Sequence, residues 1–306
     1  MTSRINSFLP VSVIRNGNFY TKSLIVVVAS AALGCLLVYV VRSLLGRAQS
    51  LSALMRQGFN DQQNKRYDEA ISTYTLALTH PVCEHSQATL LLGRAMAYSS
   101  NGNLDQALKD LNQALELKNF TDDDLRMTIY YTRGSCYASQ NRPVEAIKDF
   151  DAAIADNGQK HCILMARARS YEKIGHHQEA IDDYTRALTC NFEDSSLRIQ
   201  ILLGRVLSYF KLQKYDEALR DCDAAITHDL DHSYRHMILA ARGRSNQKKG
   251  DHQQAIRDLT EVLSCPSADE SVLQQTHIAL SLSYRNLKND EKAEQHAAAA
   301  QTLPKV

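Results

Sequence analysis

The sequence of 306 residues contains no tryptophan, only five prolines and only 12 glycines. Proline and glycine both disfavour the interior of a helix, so their scarcity favours helical structure. A disordered chain is excluded, because hydrophobic residues make up 44% of the sequence and charged residues only 23%. The composition therefore indicates a globular protein with enough apolar side chains for a sizeable core.

Acidic residues are absent from residues 1–48, which contain the basic residues Arg4, Arg15, Lys22, Arg42 and Arg47. Since the whole chain has 35 basic residues, the remainder carries 30 of them against 34 acidic residues. A mildly acidic body lacks the strong positive field that nucleic acid requires. The charge pattern predicts that nucleic acid is not a partner.

Charged residues are also absent from residues 23–41, an apolar run bounded by Lys22 and Arg42. As a helix this run would extend over roughly 28 Å, close to the thickness of a bilayer's hydrocarbon core. The alternatives are a cleaved signal peptide, for which the run is long, and a buried soluble helix, which would need a packing partner. Equal numbers of basic residues flank the run, so its orientation is not predicted. We expect a leader (1–22), a transmembrane helix (23–41), a juxtamembrane linker (42–50) and a repeat region (51–306).

One short motif recurs along the rest of the chain and carries an alanine at the same place in each of seven copies: Ala70, Ala107, Ala146, Ala180, Ala218, Ala255 and Ala293. The intervals between these alanines are 37, 39, 34, 38, 37 and 38 residues. Each copy has two apolar-periodic stretches of about a dozen residues, separated by a short polar turn. Gly102, Gly175 and Gly250 supply that turn in three copies. Small alanines let two antiparallel helices approach closely, and stacked hairpins share one continuous core.

Together with aromatic residues such as Tyr98 and Tyr137, this pattern resembles the tetratricopeptide repeat family over residues 51 to about 304. The resemblance implies an all-α fold, namely a right-handed superhelix of about seven helix-turn-helix repeats. The family repeat is about 34 residues long. We expect the additional residues of this chain to lie in loops between hairpins, such as 79–88 and 227–236.

Five interior repeats contain an arginine and an aspartate that are 16 residues apart. This spacing brings the two residues together either on the two helices of one hairpin or on adjoining hairpins. We predict a partly buried ion-pair ladder that fixes the register of the hairpins, with a ligand-binding role as the alternative. The ladder consists of Arg94 and Asp110, Arg133 and Asp149, Arg167 and Asp183, Arg205 and Asp221, and Arg242 and Asp258.

In the family that the chain resembles, the first helices of successive repeats line a concave groove. Carried over by position, the resemblance implies an apolar early groove and a later groove with a row of cations, among which Glu172 also lies. Such a row would attract an acidic peptide, whereas the alternative is a solvated helix face. The predicted peptide-binding residues are Phe59, Met96, Tyr131, Arg169, Lys173, Lys211, Arg244 and Lys248.

Motifs for catalysis and metal binding are missing. No phosphate-binding glycine loop or nucleophile elbow occurs, and the loop histidines lack the set of four ligands that zinc requires. The seven cysteines are spread over the chain without close pairing, which favours reduced thiols and a cytosol-like compartment. We predict no enzyme activity, no cofactor, no metal and no small-molecule substrate.

We interpret the chain as a single-pass membrane-anchored scaffold or receptor that binds proteins or peptides in its groove. Its layout is similar to that of the import receptors of the mitochondrial outer membrane, which implies a cytosolic repeat region on that or another organelle surface. An organelle inner membrane or a bacterial inner membrane is the alternative location. Two other functions stay open: a structural assembly factor for a membrane protein complex, and an accessory subunit of an enzyme complex.

Overall fold

The computed structural model describes residues 50–117, 122–155, 160–191, 193–229 and 233–303. These residues form 14 α-helices and no β-strand. Consecutive helices pair into seven hairpins, numbered 1 to 7 along the chain. The helices are α1 (50–63), α2 (Tyr67–Leu78), α3 (Glu84–Ser100), α4 (Leu104–Glu116), α5 (Asp123–Ser139), α6 (Pro143–Ala155), α7 (His161–Lys173), α8 (His177–Thr189), α9 (Ser195–Lys211), α10 (Tyr215–His228), α11 (Arg235–Lys249), α12 (His252–Leu263), α13 (Glu270–Asn286) and α14 (Asp290–Thr302).

The predicted leader (1–22), transmembrane helix (23–41) and all but the last residue of the linker (42–50) lie outside the described residues. Among the helices that are described, none combines the length and the apolar character needed to cross a membrane. The described chain divides into two compact units, one ending at Cys83 and one beginning at Glu84. Hairpin 1 belongs to the first unit and hairpins 2 to 7 belong to the second.

The seven recurring alanines lie where the two helices of each hairpin meet. Six of them are fully buried, and Ala293 in the last hairpin is 1% exposed. Bulky side chains such as Phe150 and Tyr184 fill the remaining space and are themselves buried. The close helix contact that the alanines predict is therefore present in both units.

The length of the repeats is explained by the first helices of the hairpins. The one 34-residue interval, between Ala146 and Ala180, contains α7, which has 13 residues. In the longer intervals the first helix has 15 residues (α11) or 17 residues (α3, α5, α9 and α13). The connections between hairpins contain only five or six residues throughout. The expectation that loops hold the additional residues is wrong. Most of these residues instead lengthen the first helix of the hairpin, by at most about one helical turn.

First helices also form the inner wall of the second unit. Neighbouring first helices, from α3 through α13, approach one another more closely than neighbouring second helices do. A stack of hairpins whose first helices are the closer set curves toward them. The concave side of hairpins 2 to 7 is therefore lined by α3, α5, α7, α9, α11 and α13.

Each hairpin turns at a residue with a positive φ, always five positions before the recurring alanine. The seven residues are Lys65, Gly102, Asn141, Gly175, Gln213, Gly250 and Lys288. Glycine adopts this left-handed conformation without steric cost, whereas a residue with a Cβ loses about 1–2 kcal/mol. Three turns thus use the glycines that the sequence predicts, and four carry strained residues.

Placing glycine at one of these turns and removing it from another should change the free energy of unfolding in opposite directions. Gln213→Gly (φ 59°) relieves strain and is expected to stabilise the protein by about 0.5–1 kcal/mol, after the larger entropy of glycine in the unfolded chain is subtracted. Gly175→Ala (φ 80°) is the matched control, because an added Cβ meets no atom within 4 Å. It should destabilise by about 1 kcal/mol through the backbone alone. Urea denaturation followed by circular dichroism measures both, and shifts of the same sign would contradict the explanation.

Candidate partner-binding groove

The five arginine–aspartate pairs each join the two helices of one hairpin. In every pair the arginine Nε and Nη2 donate to the two carboxylate oxygens over distances of 2.6–3.0 Å. All five aspartates are buried. Of the two arrangements that the spacing allows, the structure has the one within a hairpin. This bidentate form is the strong geometry of an arginine–carboxylate pair.

Four of these arginines also reach back to the preceding hairpin. Their Nη1 atoms donate to a side chain that lies two residues after the aspartate of that hairpin. These contacts are Arg133 to Asn112 (2.7 Å), Arg167 to Asp151 (2.6 Å), Arg205 to Thr185 (2.9 Å) and Arg242 to Asp223 (2.9 Å). The arginines therefore connect successive hairpins as well as the two helices of one hairpin. These contacts within the protein account for the arginines, and a bound ligand is not needed to explain them.

A cleft of 350 Å³ opens on the concave side between α9 and α11 and extends to the start of α13. Its lining is mostly apolar, with two cations, Lys211 and Arg244. Leu207 is 50% exposed and Met237 is 45% exposed. The lining residues are Leu203, Val206, Leu207, Phe210, Lys211, Met237, Ala240, Ala241, Arg244 and Val272. This part of the later groove is thus an apolar cleft with two of the predicted cations, Lys211 and Arg244, in its lining.

The remaining predicted groove residues do not line this cleft. Phe59, in the first unit, and Met96, on α3, are exposed apolar side chains. Tyr131 is half-buried and packs on Phe150 with ring centroids 6.1 Å apart, and burial raises the pKa of its hydroxyl. Lys173 is exposed and its Nζ donates to the carbonyl oxygen of Ala138 at 3.4 Å. The structure therefore brings together Lys211 and Arg244 but not these four residues.

Arg169 and Lys248 are both exposed, and neither lines the cleft. Glu172, which the sequence places within the row of cations, points into the protein. Its Oε1 accepts a hydrogen bond from Ser208 Oγ (2.8 Å) and its Oε2 accepts one from Tyr184 Oη (3.1 Å). Burial raises the pKa of Glu172, while these two bonds and the charge of Arg169 oppose that shift. Glu172 therefore joins hairpins 4 and 5 through Ser208, and its carboxylate offsets part of the charge of Arg169.

Several residues of the cleft escape a purely positional reading of the repeat. Val272 lies near the start of α13, in the additional first-helix residues that the 13-residue helix α7 lacks, and Met237 lies in the first turn of α11. Leu203 and Ala240 lie at groove-facing positions of the repeat but carry no charge and are not among the predicted groove residues. The signal that could have found them is the apolar character of α9, in which Leu203, Val206, Leu207 and Phe210 recur at helical spacing.

Comparison with known proteins agrees with this architecture. Residues 86–157 and 165–232 each match a model described as "Tetratricopeptide repeat". The chain carries tetratricopeptide repeats. The two matched segments cover hairpins 2 to 3 and most of hairpins 4 to 5. Hairpins 1, 6 and 7, which include half of the cleft lining, are therefore assigned from the structure.

Solved structures similar to this chain include other tetratricopeptide proteins. One from Parabacteroides merdae has 18% identity and a TM-score of 0.57, with 84% of this chain and 94% of that chain covered. The C-terminal part of one from Cytophaga hutchinsonii has 15% identity and a TM-score of 0.64, with 81% and 95% covered. A signal transduction ATPase with a tetratricopeptide sensor, from Pyrococcus horikoshii, has 17% identity and a TM-score of 0.68, with 82% and 41% covered. At these identities the likeness establishes the fold alone.

Protein unc-45 homolog B from Xenopus tropicalis is a sequence relative, with 29% identity over 92 residues. The match covers 30% of this chain and 10% of that protein. The chain thus spans about a tenth of the length of this relative, whose activity does not transfer to it.

Proposed function

We propose that this chain is a membrane-anchored tetratricopeptide scaffold or receptor that binds a segment of a partner protein in the cleft of hairpins 5 to 7. The observation that carries the proposal is the apolar cleft itself, with Leu207 and Met237 each about half exposed inside it. Ile278 and Leu282 on α13 of the last hairpin are further exposed apolar side chains, at 49% and 45%. Contiguous apolar surface in a concavity is typical of a protein-binding site.

The charge at the cleft supports a partner with acidic residues. Lys211 and Arg244 line it, and Lys248 lies on the same helix as Arg244. Within the described part of the chain, none of the three forms a salt bridge. By contrast, Arg235 and Lys249 of the same helix pair with Glu261 and Asp216. Unpaired cations beside an apolar cleft favour an acidic, partly apolar peptide and disfavour a basic one.

The membrane part of the proposal depends on residues 23–41, whose apolar character the sequence provides. An anchor there would hold the repeats close to the bilayer, with the groove directed to partners on the cytosolic side. We propose no catalytic role for the chain. The proposed anchor is tested by alkaline extraction of membranes, in which the full chain should stay in the pellet and a chain lacking 23–41 should be released.

Partner binding is tested with a charge placed inside the cleft. The probe is a fluorescent 12-residue peptide library with a central leucine or phenylalanine flanked by glutamates, titrated against the full chain. Leu207→Asp should weaken binding at least tenfold, since it removes apolar contact and repels the probe. Leu76→Asp is the matched control, because Leu76 is 54% exposed in hairpin 1, outside the cleft. Equal effects of the two substitutions, or no binding by the unmodified chain, would contradict the proposal.

A further inference from the structure

We infer that Arg244 is the carboxylate-binding residue of the proposed groove, and that the partner segment carries an acidic side chain next to the bulky apolar side chain that occupies the cleft. This inference rests on the proposed function and names the partner chemistry that the groove would select. It differs from the row of cations expected from sequence, in which Arg244 is one of several equivalent basic residues. Here a single guanidinium has a distinct position.

Arg244 lies at the junction of two clefts on the concave side. It lines the apolar cleft described above and also a smaller one of 190 Å³, whose other walls include the polar residues Ser271, Gln275 and Thr276. Its Nε donates only to the carbonyl oxygen of Ala240, at 3.3 Å. The Arg244 side chain is exposed to solvent, and desolvation of its guanidinium where it meets the cleft walls lowers the pKa of that group. The guanidinium is therefore accessible to a partner and, among the described residues, has no carboxylate paired with it.

The chain contains an internal comparison for this arginine. Arg169 occupies the same position in hairpin 4, two residues after the ladder arginine. Its positive charge opposes the rise in the pKa of Glu172 and so favours the carboxylate form. The residue of hairpin 6 that corresponds to Glu172 is Gln247. Its amide Nε2 donates to Ser283 Oγ at 2.9 Å and to the carbonyl oxygen of Ala279.

Hairpin 6 therefore keeps the arginine of hairpin 4 but replaces its carboxylate by a neutral amide. The serine partner is kept too, since Ser283 corresponds to Ser208, which donates to Glu172. Among the described residues no carboxylate pairs with Arg244. A carboxylate from the partner would supply the missing anion through charge-assisted hydrogen bonds to the exposed guanidinium.

The apolar lining decides what must accompany this carboxylate. Leu207, Phe210 and Met237 offer surface that only a large apolar side chain covers, and Lys211 faces the same cleft. A purely acidic peptide would leave that surface exposed, and a purely apolar peptide would leave Arg244 unpaired. The chemistry therefore selects a segment in which the two side-chain types are neighbours.

The test compares glutamate probes with glutamine probes. Peptides with a central leucine or phenylalanine are made with flanking glutamates or with flanking glutamines, and each is titrated against the full chain and the Arg244→Gln variant. The glutamate peptides should bind the unmodified chain about ten to a hundred times more tightly than the glutamine peptides. Arg244→Gln should abolish that preference and leave the glutamine peptides unaffected. Arg257→Gln, on the outer helix α12 of the same hairpin, is the control and should keep it.

Gln247→Glu provides a second variant. It restores the carboxylate of hairpin 4, so it should neutralise Arg244 internally and reduce binding of the glutamate peptides at least tenfold, provided that its circular dichroism melt shows a folded protein. If both peptide sets bind the unmodified chain equally well and Leu207→Asp still abolishes that binding, the role of Arg244 is overturned and the proposed groove stays in place. If the unmodified chain binds neither peptide set, both the role of Arg244 and the proposed groove are overturned.

Discussion

Replacing Arg167 by leucine is expected to destabilise the protein by about 3 kcal/mol, the larger of the two strongest effects predicted for this chain. Arg167 binds Asp183 in its own hairpin through two hydrogen bonds of 2.6 and 2.7 Å and Asp151 in the preceding hairpin at 2.6 Å. Its side chain is 13% exposed and that of Asp183 is 3% exposed. Removal of the guanidinium leaves the Asp183 carboxylate buried with only Arg186, 3.5 Å away at the surface, as a partner.

The two ends of this pair should not be equivalent. Asp183→Leu leaves Arg167 bound to Asp151, whose side chain is 52% exposed, so the arginine keeps a partner. We therefore expect Asp183→Leu to cost about half as much as Arg167→Leu. The double variant, with two apolar side chains in place of the buried pair, should recover most of the loss.

A double-mutant cycle on the full chain, measured by urea denaturation, separates these contributions. The expected coupling between Arg167 and Asp183 is about 1.5–3 kcal/mol. A parallel cycle between Arg167 and Asp151 should give a smaller value, because Asp151 is half exposed. Additive effects of Arg167→Leu and Asp183→Leu would show that the pair does not hold the hairpins in register.

The fold was predictable because its signal is repeated. Seven alanines at nearly regular intervals require a small side chain at seven equivalent helix contacts, and the structure buries all of them. The location of the additional residues was not predictable in the same way. The first helices α5, α9 and α13 begin directly after Asp122, Asp194 and Asp269, whose side chains cap the helix N-termini. An aspartate also occurs commonly in turns, so its presence in the sequence does not by itself mark a helix start.

The candidate groove was predictable in position but not in character. Position within the repeat predicts Lys211 and Arg244 as groove residues, and both line the apolar cleft. It does not reveal that Glu172 turns inward to Tyr184 and Ser208, because a side chain's direction depends on partners from other hairpins. Nor does it show Tyr131 packed on Phe150. Charged residues carry the most visible pattern in a sequence, whereas the apolar cleft forms only when α9 and α11 are packed side by side.

Close packing between hairpins 4 and 5 leads to the second large effect, that of Gly204→Ala. Gly204 lies on α9, opposite Tyr184 of α8. A Cβ at this position would lie 2.5 Å from Tyr184 Cζ and 2.6 Å from its Oη. The ring has little freedom to move, because it is 1% exposed and its hydroxyl donates to Glu172. Overpacking of this kind costs up to about 3 kcal/mol, against roughly 1 kcal/mol gained from the higher helix propensity of alanine.

Gly204→Ala should therefore destabilise the protein by about 2 kcal/mol, and the sign of its effect should depend on residue 184. Tyr184→Leu removes the ring atoms that the new methyl group meets, at the expense of a cavity and of the hydroxyl bond to Glu172. In that background the methyl group has space and the helix propensity of alanine decides, so Gly204→Ala should be neutral or stabilise by up to about 1 kcal/mol. Urea denaturation of the four chains measures both effects. The same cost in both backgrounds would show that the glycine serves the backbone of α9 and not the approach of hairpin 4 to hairpin 5.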